Sequence, residues 1–126
     1  MSHEYSAAAR VAAHTAFLDL LDTAVGTAKI RIRDSGAVLL AEIILGDPSG
    51  AVNGTTGQLT LTVATQETNA PASGIASIAQ VVDGAGAVHL TMPCKQGVVS
   101  DPGWCVLSST AVAAGGNVSV VSAVIG

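Results

Sequence analysis

At Gly26 the apolar pattern of this chain changes period, and that change constrains the fold more than any other feature. Upstream, residues 6–25 are rich in alanine and leucine, contain no proline and run into Gly26. Those properties predict a single helix, with Ser2 or Ser6 capping its start and Gly26 its stop. On that helix Phe17, Leu18, Leu20, Leu21, Ala24 and Val25 sweep a broad apolar arc, and Thr15, Asp19 and Asp22 mark a narrow polar one. So small a polar face admits two readings. Either the helix lies between its own sheet and a neighbouring subunit, or it is the core helix of a monomer with its alanines in water.

Downstream the period is two. Ala28 to Arg33 alternates, with Ile30 and Ile32 on one face and Lys29, Arg31 and Arg33 on the other. Asp34-Ser35-Gly36 turns into an apolar strand at 37–45, which Gly46 to Gly50 interrupts. Residues 51–57 read as an exposed loop around Asn53-Gly54. Further strands are expected at 58–65, 74–82, 87–92, 104–108 and 118–125. The connections are a polar segment at 66–72, the turn Asp83-Gly84-Ala85-Gly86, a loop at 95–103 and a turn at 114–117. Seven or eight short strands with turn signals about every ten residues predict an antiparallel β-sandwich or jelly roll. The whole chain, 1–126, reads as one domain with its helix at 6–25 and its sandwich from residue 28 onward.

Composition narrows the function. The chain is 49% hydrophobic but holds only three aromatic residues, Tyr5, Phe17 and Trp104. Charged residues make up 11%, against roughly 25% in an average soluble protein. With five basic residues and a net charge of −4, the chain lacks the cationic footprint that phosphate backbones and anionic membranes require. No apolar run approaches the ~20 residues of a membrane-spanning helix. The polar start, Met1 to Tyr5, carries no secretory pattern, so synthesis in the cytosol is expected.

Reactive constellations are scarce. His3, His14 and His89 are dispersed, and none has metal-motif spacing. His14 is expected to be a hydrogen-bonded boundary residue of the helix, and His89 to lie on a solvated strand face. Asp47, Asp83 and Asp101 each adjoin glycine or proline, as turn-forming aspartates do. The reading therefore names no catalytic residue, no cofactor site and no metal site, and it does not favour an enzyme. Cys94 and Cys105 admit two readings, a pair of reduced buried thiols or a cross-strand disulfide flanking a hairpin. The cationic stripe Lys29, Arg31, Arg33 is either a solvated strand face or a contact for an acidic protein partner. Trp104, after Pro102-Gly103, is expected to anchor a core or an interface.

Several stretches bear on family. They are the helix followed by Ile30-Arg31-Ile32-Arg33-Asp34-Ser35-Gly36, the run from Leu39 to Pro48, the run from Ala72-Ser73-Gly74-Ile75-Ala76 to Val82-Asp83, and Ala114 to Ser122. In this order they resemble a family of small β-sandwich structural proteins of tailed bacteriophages. The resemblance implies a virion component, and first of all a capsid decoration (cement) protein bound to the major capsid protein on the outside of the shell. Edge strands and the apolar helix are then the expected contact surfaces, and a homo-oligomer, dimer or trimer, is expected because closed symmetry is the norm. A neck or tail ring component is the nearest rival. A carbohydrate-binding sandwich module is the rival from another class, although a chain with one tryptophan offers few aromatic platforms for sugars.

Overall fold

A computed structural model describes residues 6–23, 26–99 and 103–125. Helix α1 (Ala7–Thr23) begins where the cap signal places it, with the Ala9 N–H donating to Ser6 Oγ at 3.2 Å. Ser2, Ala24 and Val25 lie outside the described residues. Within α1 the apolar arc is only partly used. Leu21 is completely buried, Phe17 and Leu18 pack partly against the core, and Leu20 stays 48% exposed. Ala8, Ala9, Ala12, Ala13 and Ala16 face solvent. In the single chain, then, the helix is covered on one side and its alanines are in water.

Nine strands follow among the described residues: β1 (Lys29–Arg33), β2 (Leu39–Val52), β3 (Leu59–Thr65), β4 (Gly74–Ile75), β5 (Ile78–Val82), β6 (Val88–Gln96), β7 (Cys105–Leu107), β8 (Ala111–Val112) and β9 (Val120–Ile125). They do not form a sandwich. Seven close into a barrel in the order β1-β2-β3-β9-β7-β6-β5, and β4 and β8 make a separate two-stranded ribbon. The expectation of an antiparallel sandwich or jelly roll is corrected on two counts. Strand β1 pairs with β2 on one side and with β5 on the other, which closes the sheet. Strands β6 and β7 run parallel, with Cys94 opposite Cys105. The cysteines therefore do not flank a hairpin. A parallel pair needs a return connection between its strands, of which residues 97–99, 103 and 104 are among the described residues.

A narrow barrel accounts for the composition. About eight strands leave an interior just wide enough for side chains to fill, and seven leave less. Ile30, Ile32, Ile43, Leu45, Leu59 and Leu107 are each fully buried in it. Branched aliphatics and small residues fill such a space; aromatic rings are not needed.

Local irregularities explain where the strand boundaries differ from expectation. Strand β2 continues through the segment read as a break. Its register jumps from Leu45 opposite Val63 to Gly50 opposite Leu61, so residues 46–49 bulge out while β3 advances by Thr62 alone. The bulge brings buried Ser49 to the last turn of α1, where its hydroxyl donates to Asp22 Oδ1 at 2.5 Å. The strand expected at 74–82 is split. Ala76 N–H donates to Thr110 C=O at 2.7 Å and Ser77 N–H to Arg33 C=O at 2.9 Å, so the first piece leaves the barrel to pair with β8.

The ends of the barrel are covered differently. Arg10 donates to Thr56 C=O at 3.0 and 2.8 Å, and His14 Nδ1 lies 2.6 Å from Gly57 C=O, which lays α1 on the β2–β3 turn. At the same end Gly26, with φ +99°, backs onto Gly84 so closely that a Cβ would stand 3.1 Å from the Gly84 carbonyl oxygen. At the other end the β4–β8 ribbon sits by the β1–β2 turn, with Gly74 against Leu40 and Asp34.

Candidate partner-binding surface

The cationic stripe lies on the outer face of β1, because Ile30 and Ile32 take the inner one. Glu42 stands opposite Arg31 on β2 and serves two of the three cations. Lys29 Nζ is 3.2 Å from Glu42 Oε1, and Arg31 Nε is 3.3 Å from Oε2. Arg33 donates to Gln80 Oε1 at 2.8 Å and to Ala37 C=O at 3.1 Å. The Lys29 and Arg31 side chains are each about a third exposed or less, and such ion pairs add roughly 0–1 kcal/mol each. The stripe is thus a partly neutralised strand face with one carboxylate for three positive charges.

Trp104 is elsewhere. In barrel order β5 and β6 lie between β1 and β7, so the indole beside β7 is on another side from the stripe. The structure does not bring the two candidate contacts together. Trp104 precedes inward-facing Cys105 and is 37% exposed, with Lys95 Nζ 5.4 Å from its ring centroid. The adjoining connection holds the most exposed large apolar residues of the described chain, Val98 at 88% and Val99 at 72%. Val106 is buried although it alternates with the core residues Cys105 and Leu107. A Cβ at Gly97 would stand 3.2 Å from Val106 Cγ1, so the connection begins by passing over the outside of β7. Asp101 and Pro102 lie outside the described residues.

Cys94 and Cys105 are free thiols, both buried and side by side in the β6–β7 ladder. Their interaction separates them chemically. The bond it shares with Cys94, together with burial, pushes the Cys105 thiol well up, while that bond draws Cys94 down.

The histidines depart from expectation in one case. His14 is the boundary residue its position suggests, held by the Gly57 carbonyl. His89 is not on a solvated face. Its Nε2 lies 2.8 Å from Asp83 Oδ2, and the two side chains are 19% and 10% exposed. Asp83 also caps the β5–β6 turn, its Oδ1 accepting from the N–H groups of Ala85 and Ala87 at 2.9 and 3.0 Å. The His89 bond first, then these backbone bonds, holds the Asp83 carboxyl below its ordinary range. The sequence signal was a histidine six residues after a turn aspartate, close enough across a tight hairpin to meet it. His14 and His89 also line a crevice of about 300 Å³ under the helix, with Phe17, Leu90 and Ile125. Among the described residues no three His, Cys, Asp or Glu side chains group as metal ligands. No described helix is long and apolar enough to cross a membrane.

Sequence reasoning missed Gln66, whose carboxamide bonds both backbone groups of Val120 on β9. A lone glutamine in a polar connection gives no sign of such a role.

No family model matches this chain, and no curated protein or solved structure does either.

Proposed function

We propose that the protein is a non-catalytic structural component of a tailed-phage virion, acting as a decoration protein on the outside of the major capsid shell. The observation that carries this reading is the set of exposed apolar residues Val98, Val99 and Trp104 on the connection that leads into β7 of a closed barrel. Apolar side chains gathered on a rigid body favour a protein interface, since a tryptophan in a partly desolvated setting is a frequent anchor. A small clamp across a junction between shell subunits stabilises the shell by mass action. Repetition over the lattice lets modest contacts act together, and homo-oligomerisation on the shell multiplies them further. The closed main sheet shifts the expected mode of attachment from strand edges to side chains and the loop. Assembly in the host cytoplasm and residence in the virion follow from this reading, with neither nucleic acid nor membrane as partner.

The carbohydrate-binding alternative is weakened at the tryptophan it would use. Lys95 stands over the Trp104 ring, so a sugar stacking on that face would have to displace it.

Electron microscopy of purified particles, with a copy count, tests the proposal. A decoration protein is expected at on the order of hundreds of copies on the shell lattice, and a neck or tail ring at about six or twelve, as closed symmetry dictates. Trp104→Ala and the double change Val98→Ser, Val99→Ser should lower occupancy. Absence of the chain from particles, or unchanged occupancy in both variants with the fold intact, would overturn the reading.

A further inference from the structure

The barrel is joined unevenly. Most neighbouring strands share five ladder positions, and the two pairings of short β7 share three each. Strands β3 and β9 share two, Leu59–Ile125 and Thr60–Val124. Beyond these the strands part until the isolated bridge between Glu67 and Val118, where the two N–H groups donate across at 3.2 and 2.9 Å. Between those points residues 61–65 have no ladder partner on β9.

A side chain spans the gap. Gln66 Oε1 accepts from the Val120 N–H at 2.9 Å, and Gln66 Nε2 donates to the Val120 C=O at 3.2 Å. This is the bond pair that a backbone amide on an adjacent strand would make. The carboxamide thus stands in for a strand that is absent from this part of the sheet. The surroundings agree. Val63, an inward position of β3, is only partly buried where Leu59 and Leu61 are fully or nearly covered. Val121 bulges out of the β7–β9 register and is 42% exposed. The buried Ser122 hydroxyl has no hydrogen-bond partner among the described residues.

We propose that the β3–β9 seam is a docking site for one extended, uncharged strand of a partner polypeptide, which enters by displacing the Gln66 side chain and opening the Glu67–Val118 bridge beside it. The occupant follows from the lining. Strand backbone without a ladder partner offers donors and acceptors in a repeat that only another extended backbone matches, at about 4.8 Å. Gln66 already shows the amide chemistry that satisfies Val120. Neither Leu59–Gln66 nor Val118–Ile125 contains a charged residue, so a charged strand would bring side chains without counter-charges into a partly buried seam. Apolar residues at alternate positions of the guest would meet Val63 on the inner side, and small polar ones would sit with Thr62 and Thr65 outside. This inference stands apart from the virion reading.

The probe is an end-blocked, labelled heptapeptide, Thr-Val-Thr-Val-Thr-Val-Thr, followed by fluorescence anisotropy against the full chain. The control is the same peptide N-methylated at alternate residues, which removes backbone donors and leaves the side chains. The unmodified peptide is expected to bind and to protect the Val120 amide from hydrogen exchange. Gln66→Ala removes the competitor, so it should tighten binding about tenfold, the scale of two displaced hydrogen bonds. Gln66→Glu, which keeps the acceptor and loses the donor, should tighten it less and guards against a folding defect in the alanine variant. Equal binding of the N-methylated peptide, no binding of either peptide, or no change in Gln66→Ala would each overturn the proposal. So would a Gln66→Ala dimer that the peptide cannot dissociate, because a second copy would then be the occupant.

Discussion

Gly50 offers the sharpest test of how the barrel is assembled. It is the first β2 residue to rejoin the ladder after the 46–49 bulge, and it faces Leu61. A Cβ built there would lie 2.5 Å from the Thr60 carbonyl oxygen, 3.1 Å from Leu61 Cα and 3.2 Å from Thr60 C. All three are backbone atoms of a strand that is itself laddered, so no side chain can swing away. Restoring ordinary contact requires β3 to shift by about 1 Å relative to β2, and overpacking of this kind costs roughly 1–3 kcal/mol. At about 2.1 cal/mol/K of unfolding entropy per residue, 126 residues convert a loss of about 2 kcal/mol into a fall in Tm of about 8 °C. Gly54, four positions on, is the control. Nothing lies within 4 Å of its Cβ position, and its φ is not in the left-handed region. Gly54→Ala should leave stability unchanged or raise it by roughly 0.4–1 kcal/mol through the unfolded chain. Thermal melts and urea titrations of both variants decide the matter. If Gly50→Ala melts within about 1 °C of the parent protein, the bulge register and the close approach of β2 to β3 are wrong.

Two further outcomes follow from the ionisable groups. The folded Asp83 carboxyl titrates below its ordinary value of 3.8, chiefly because of His89. Between the folded value and 3.8 the unfolded chain binds more protons, so the stability Asp83 contributes is complete above this window and is lost as pH falls through it. Asp83→Asn should therefore flatten the dependence of urea stability on pH just below 3.8; an unchanged slope would show that the His89 pairing has no thermodynamic weight. For the thiols, Cys94 is the sulfur drawn down and Cys105 the one pushed up. Iodoacetamide should label both slowly in the folded protein but Cys94 first, as read by peptide mass mapping, and both fully in urea. Preferential labelling of Cys105 would contradict the arrangement of the pair.

Local pattern carried the elements and little of their closure. The helix cap at Ser6, the alternation of β1 and the turn at Asp83 are each decided by residues within a few positions of one another, and all three stand as read. Sandwich and barrel share the same inward–outward alternation, so the choice between them rests on which distant strands pair. Here it rests on β1 with β5 and β3 with β9, contacts that no local spacing records. The parallel step between β6 and β7 was hidden for a related reason. Residues 95–103 read as a hairpin loop, and parallel connections ordinarily run a dozen or more residues. A three-residue β7 lets a shorter one suffice. At the candidate surface, the cationic stripe was legible as an outward strand face, whereas Trp104 read equally as a core or an interface anchor, and its place on a different side of the barrel was not legible at all.

The narrow bore also bears on Trp104. With the interior filled by Ile, Leu, Val and small residues, no indole is required inside, and the one tryptophan stands on the outer face by β7. Strand β9 separates that face from the β3–β9 seam, and Val121 is exposed on it. A partner strand lodged in the seam would therefore run beside β9, with the Trp104 face on the far side of that one strand. The two features remain separable by substitution. Gln66→Ala should change binding of the isolated heptapeptide and leave Trp104 in place, whereas Trp104→Ala should change attachment to particles and leave heptapeptide affinity unaltered. If Trp104→Ala weakened the heptapeptide as strongly as particle attachment, the seam and the apolar face would be one site, and the separate roles argued for them would fall together.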